Sequence, residues 1–392
     1  MDELELLSQP VALPEGIDHD EYVIATYLVS FPAMVSVPKL APALAIEQST
    51  GTWVPVPGET PEVRVKHIAK VMGVYEVPDA EFPELTTATG NRDYIVQVGF
   101  PEVNIGAQLP MMLTTVVGNI SMGGRVKVID VRFPQRYVAG FQGPKFGIPG
   151  VRDLLGVPDR PLLNNMIKPC TGYTPDVGAD LFYKAALGGC DIVKDDELLA
   201  DASFNHILDR VDRYMKLEKE AYNETGEHTL YTVNVTDSVP KVFENARRAV
   251  DAGANAIMVN YLAVGLPVLQ ALAEDPEINV PILAHMDVAG AMYMSPWHGL
   301  SSHLVLGKLP RLAGADVIVF PAPYGKAPVL PEKFLTTARN MTLPLYHLRR
   351  TFPMASGGIT PSMVPKVMED LGNDVVIGSG FGSSARIPAA RT

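Results

Sequence analysis

The chain has 392 residues, 47% of them hydrophobic, and a formal net charge of −12. Such a length fits two domains, or one large barrel with an extra piece, and the hydrophobic share excludes a disordered or fibrous chain. The acidic balance disfavours nucleic acid as a partner, and no apolar run reaches the roughly 18–20 residues of a membrane span.

The start, MDELELLSQP, is acidic and lacks the basic and apolar regions of a secretory signal. Two cysteines, Cys170 and Cys190, cannot build a disulfide framework, so a reducing cytoplasm is the expected location.

The first part of the chain carries EYVIATYLVSFP (21–32), VRVKHIAKVMGVYEVP (63–78), DYIVQVGFP (93–101), MMLTTVVGNI (111–120) and RVKVIDVRFP (125–134). These read as strands with one or two intervening helices, and a small α+β (ferredoxin-like) domain over 1–145 is predicted. The Pro- and Gly-rich stretch 141–161 reads as a linker and barrel entrance.

From Leu162 onward one rhythm repeats. Eight short β-branched runs, LLNNMIKP, CDIVKDD, TLYTVNVT, AIMVNYL, PILAHMD, DVIVFPA, FPMASGG and DVVIGSG, alternate with helical stretches. Continuous hydrophobic strands suit a parallel sheet buried on both faces. Between 203 and 226, Phe204, Ile207, Leu208, Val211, Tyr214 and Met215 share one helical face. The pattern predicts an α/β protein whose residues 146–392 form a (β/α)8 TIM barrel, a fold of about 250 residues. The chain ends in FGSSARIPAART, too short for a full eighth helix.

Sites in such barrels lie at the C-terminal strand ends. There the chain places Lys168 and Cys170 after strand one, and Lys194, Asp196 and Glu197 after strand two. Alternation sends Lys194 and Asp196 inward, with Glu197 at the bend. Two carboxylates on the barrel axis suit a hard cation such as Mg²⁺. An ammonium has no lone pair, so Lys194 joins such a site only as a CO₂ carbamate. Strands seven and eight end in Ser356-Gly357-Gly358 and Gly378-Ser379-Gly380, whose backbone N–H groups suit a phosphate. Lys326 sits on a Gly-Pro-rich loop that could close over a ligand. His285 and Asp287 share one parity on strand five and read as rim residues. Trp297, His298 and His303 read as packing.

The set IKP, GGCDIVKDDE, PYGK and ASGGI, with Gly51-Thr52-Trp53 and VVGN upstream, resembles the large subunit of ribulose-bisphosphate carboxylase. The segment SPWHGLSSHLVLGKLPRLAGADVIVFPAPYGK is more similar to the RuBisCO-like (form IV) proteins. The resemblance implies a carbamylated Lys194 that binds Mg²⁺ with Asp196 and Glu197, and Lys168 as the acid/base lysine. It implies Lys326 as the mobile-loop lysine, and Ser356, Gly357, Gly358, Gly378 and Gly380 at the substrate hydroxyl and phosphate. A homodimer or higher homo-oligomer is implied, each site completed by Glu47, Thr52, Trp53 and Asn119 of the partner subunit.

Departures from the carboxylase bear on activity. Cys170 replaces a second lysine, Asp287-Val288 stands for a His-Arg pair, Val319 for a histidine, and Gly380-Phe381-Gly382 for a triple glycine. Bisphosphate carboxylation is therefore not expected, and enolate formation from a phosphorylated keto-sugar or sugar acid is. The favoured substrate is 3-oxo-isoapionate 4-phosphate, decarboxylated or cleaved, because Asn119 and Lys326 match the carboxylase pattern. The alternatives are a methionine-salvage enolase or isomerase acting on a methylthio-sugar phosphate, a non-catalytic metabolite-binding relative, and a metal-free Schiff-base aldolase.

Overall fold

The computed structural model describes residues 3–51, 56–82, 90–327 and 329–379. The chain divides into two compact units, one of residues 1–141 with 290–305, the other of 142–289 with 306–392.

In the first unit β1 (Tyr22–Pro32), β2 (Lys70–Val77), β3 (Asn91–Pro101) and β4 (Arg125–Arg132) form an antiparallel sheet. β1 lies between β3 and β4, β2 is at one edge, and the two-residue strand Gly299–Leu300 adds parallel to β4 at the other. Val23, Ala25, Tyr27 and Val29 alternate into the core, as a half-buried strand requires. The helices of this unit include α1 (Val37–Glu47), α2 (Pro61–His67), begun by a Thr60 side-chain cap, and α3 (Leu109–Val116).

The one or two intervening helices expected among these runs are α2, which takes 63–67 of the run 63–78, and α3, which takes the start of MMLTTVVGNI ahead of a turn at Asn119–Met122. Its β-branched run reads as a strand, but Leu109, Met112 and Val116 are buried at helical spacing, and burial overrides propensity. Trp297, read as packing, lies under the Arg125 guanidinium, and the added strand Gly299–Leu300 follows directly after His298.

The second unit is a closed parallel barrel. Its strands are β5 (Leu162–Met166), β6 (Ile192–Lys194), β7 (Leu230–Asn234), β8 (Ala256–Asn260), β9 (Ile282–His285), β10 (Val317–Pro321), β11 (Phe352–Ser356) and β12 (Val376–Ser379). β12 pairs with β5 at Val376↔Leu162 and closes the ring. Each strand falls on one of the eight runs read from the sequence. The expected lack of an eighth helix concerns residues 380–392, outside the described ones. Among the described residues no helix is long and apolar enough to cross a membrane.

The stretch 141–161 contains α4 (Gly147–Leu155) and is not a plain linker. Ile148, Val151 and Leu155, again at helical spacing, join Leu162, Ile192, Leu230, Leu283, Val319, Phe352 and Met354 in one core cluster. Buried Asp316 ties this helix to the barrel. Its Oδ1 accepts from the N–H groups of Phe146 (2.8 Å) and Gly147 (2.7 Å), and its Oδ2 from that of Ile282 (2.9 Å). Burial pushes the carboxyl up to about 6 against the pull of these bonds. Asp316→Asn turns one acceptor into a donor facing an N–H, and a loss of about 2 kcal/mol of stability is expected in urea denaturation.

Candidate active site

The barrel mouth gathers the charged strand ends. Lys194, the last residue of β6, is fully buried. Its Nζ donates to the Asp195 carbonyl (2.8 Å) and to Glu197 Oε2 (3.1 Å). Asp196, also fully buried, accepts from Lys168 Nζ, which lies 3.2 Å from Cys170 Sγ. Burial works against the Lys168 charge, but Asp196 and the Cys170 thiol outweigh it and raise the amine above its ordinary value. The Lys168 side chain remains 37% exposed, so the proton it carries faces the open mouth. The structure thus brings together Lys168, Lys194, Asp196 and Glu197.

Glu197 has a second neighbour in His285, whose Nε2 is 3.4 Å from Oε2. The other ring nitrogen of His285 faces Asp287 Oδ2 at 3.1 Å. Burial raises the Glu197 carboxyl, yet the charges of Lys194 and His285 with hydrogen bonds from Lys194 and the backbone bring it down to about 2. Val288 follows at φ 73°, a left-handed conformation that strains a β-branched residue. His285 thus sits at the rim with an acidic partner on each ring nitrogen.

Asn234 and Asn260, at the ends of β7 and β8, donate their side-chain N–H groups to the Glu197 carbonyl at 3.2 and 3.0 Å. The Asn260 Oδ1 is buried and has no partner among the described residues. Sequence reasoning missed both asparagines. The signal was a polar residue closing each of two apolar runs, TVN and MVN.

On the opposite strands, Ser356 is buried at the end of β11. Gly357 and Gly358 follow at φ 98° and 93°. Lys326 N–H donates to the Gly357 carbonyl (2.5 Å), so the lysine loop lies against this glycine turn. A Cβ on Gly325 would sit 1.9 Å from the same oxygen, which only glycine avoids. Gly378 lies on β12 beside Ser356, where a Cβ would be 3.0 Å from its Oγ. Gly380 lies outside the described residues, as do Thr52 and Trp53.

Within the first unit Gln48, next to Glu47 in the chain, reaches the Asn119 turn. With its amide turned to satisfy both ends, Gln48 accepts from Asn119 N–H (3.2 Å) and Ile120 N–H (3.3 Å) and donates to the Thr115 carbonyl. Asn119 is exposed at the start of its turn, and Glu47 Oε2 is buried without a partner among the described residues. Gln48 is the brace the sequence reading overlooked.

Comparison with known proteins places this geometry in a family. The profile described as "Ribulose bisphosphate carboxylase large chain, catalytic domain" matches residues 147–390, and that of the N-terminal domain matches 15–137. A "Ribulose bisphosphate carboxylase-like protein" of Archaeoglobus fulgidus is 58% identical over 378 residues, 96% of this chain and 86% of the relative. A 2,3-diketo-5-methylthiopentyl-1-phosphate enolase of Geobacillus kaustophilus is 38% identical, covering 92% of this chain and 87% of the enolase. The crystal structure of a rubisco-like protein (MtnW) from Alicyclobacillus acidocaldarius superposes with a TM-score of 0.83 at 35% identity, covering 92% and 88% of the two chains.

The chain belongs to the RuBisCO large-chain family, as a form IV RuBisCO-like protein. None of these relatives supports the favoured 3-oxo-isoapionate substrate, and their names back the methionine-salvage alternative better.

The Glu197 carboxyl makes a pH prediction. Its folded pKa lies below its ordinary 4.5, so its stabilisation is complete above pH 4.5 and is lost as pH falls towards 2. In protein treated with EDTA, the stability difference between wild type and Glu197→Gln is expected to hold above that value and shrink below it. Urea denaturation across the range reads the difference, and a pH-independent gap would contradict the pairing.

Proposed function

We propose that this protein is a Mg²⁺-dependent enolase-type enzyme acting on a phosphorylated diketone, of the kind named for its 38% identical relative. The observation that carries the reading is a proton-holding amine, Lys168, bound to Asp196 beside a second buried amine, Lys194, paired with Glu197.

The donor set suits a hard cation. Among the described residues no three His, Cys, Asp or Glu side chains are arranged to hold a metal. Asp196 and Glu197 therefore need a third anionic ligand, and the Lys194 amine already touches one of them. Carbamylation by CO₂ converts that amine into an oxygen donor, and Lys194, Asp196 and Glu197 would then hold Mg²⁺. When bound, the cation supplies positive charge near the substrate carbonyl oxygen as the adjacent carbon loses its proton.

The chain's own residues do the rest. Lys168 holds a proton at Nζ beside Asp196; once Asp196 is engaged elsewhere the ammonium can release that proton to water, and the neutral amine can then take one from the substrate carbon and return it. Ser356, Gly357, Gly358 and Gly378 line the turns that would orient the phosphate, with Lys326 on the loop beside Gly357, and Gly380 is assigned the same role from the sequence. The glycines bring backbone N–H groups close to an anion, and the closed loop excludes water. The same reading has the protein act as a homodimer or larger homo-oligomer, with Glu47, Thr52, Trp53 and Asn119 serving the partner subunit's site.

In D₂O with Mg²⁺ and bicarbonate, 2,3-diketo-5-methylthiopentyl 1-phosphate is expected to take up deuterium beside its carbonyl group. Lys168→Met should slow this exchange by about 10²-fold or more while substrate still binds. Proton NMR follows the exchange. Equal rates in the variant, or in wild type after EDTA, would remove Lys168 or the metal from the mechanism.

A further inference from the structure

Three carboxylates follow Lys194 in succession, and only two face the mouth. The first of them, Asp195, is fully buried on the outer side of the barrel wall. Its Oδ1 accepts from the Tyr231 hydroxyl (2.8 Å). Its Oδ2 accepts from Arg210 Nε (3.1 Å) and from the Asn234 N–H (3.0 Å), with Arg210 Nη2 also at 3.1 Å. Arg210, on α6 (Ile207–Thr225), is itself fully buried. Its remaining N–H groups donate to the carbonyls of Asn205 (2.5 Å) and Ala200 (3.0 Å), so the cluster is closed. A buried ion pair without spare donors or acceptors holds one geometry.

This cluster has two consequences for the mouth. Asp195 is the shared neighbour of Lys194 and Asp196, so anchoring its side chain outward turns both of theirs inward. It also commits the third carboxylate to Arg210, leaving two acids for one divalent ion. Asn234 couples the two sides. Its backbone N–H binds Asp195, while its side chain donates to the carbonyls of Asp196 (3.4 Å) and Glu197 (3.2 Å).

We propose that Arg210 and Tyr231 are positioning residues for the divalent-cation site, holding Lys194 and Asp196 in the arrangement that binds metal by locking Asp195 away from it. The inference rests on the metal reading of the preceding subsection and concerns residues that touch neither substrate nor cation.

The test uses the full-length protein with Mn²⁺ and ¹³C-labelled bicarbonate. Electron paramagnetic resonance reads Mn²⁺ affinity, ¹³C NMR reads the carbamate, and thermal melting reads the fold. Arg210→Lys is expected to weaken Mn²⁺ binding about tenfold or more and to diminish the carbamate signal, the scale typical of groups that orient metal ligands. Tyr231→Phe keeps the Arg210–Asp195 pair and therefore the fold, and is expected to weaken Mn²⁺ binding by a smaller factor, with the melting temperature lowered only modestly by the lost buried hydrogen bond. That variant decides the question if Arg210→Lys does not fold. A merely structural role would lower the melting temperature and leave the Mn²⁺ affinity of the folded protein alone. Wild-type affinity in the folded variants would overturn the inference while leaving the metal site standing. Failure of the wild type itself to bind Mn²⁺ or form a carbamate would overturn both.

Discussion

The structure depends on how charge is buried at the end of β6. Four consecutive residues, Lys194 to Glu197, are one amine and three carboxylates, and the first three are fully buried. Isolated ions are not tolerated there, because desolvation costs more than any single contact returns. Each is matched instead: Lys194 with Glu197, Asp195 with Arg210, Asp196 with Lys168. The pairing makes the mouth both stable and reactive, since a proton or a cation can change places only among partners already held close.

The barrel makes that arrangement affordable. Below the mouth the interior is an apolar plug of Leu162, Ile192, Leu230, Leu283, Val319 and Phe352, sealed by Ile148, Val151 and Leu155 of α4. A core of that kind excludes water from beneath Lys194 and leaves the strand ends as the place where polar groups gather. Glycine at 325 and 378 then lets the lysine loop and the last strand approach Ser356 and Gly357 without a clash.

Much of the fold was legible because its signal is local. Each barrel strand is a short β-branched run ending in polar residues, so its position follows from the chain itself. Regions whose burial is set by distant partners were harder to read. MMLTTVVGNI has the composition of a strand, yet Leu109, Met112 and Val116 face a core as one helical stripe. The Pro- and Gly-rich run 141–161 looks like a linker, yet it holds the helix that seals the barrel.

The candidate site divides in the same way. Lys168, Lys194, Asp196, Glu197, Lys326, Ser356 and the glycine turns were readable from strand ends and from family resemblance. The braces behind them were not: His285 on Glu197, Asn234 and Asn260 on its carbonyl, Arg210 and Tyr231 on Asp195, and Gln48 on the Asn119 turn. By itself the sequence determined the order of strands and helices, the family, and which charged residues stand at strand ends, because hydrophobic period and motif spacing are properties of the chain. Only the tertiary structure decided which acid pairs with which base. That choice depends on distances between strands far apart in sequence, and a buried charge takes whichever partner the closed barrel brings within reach.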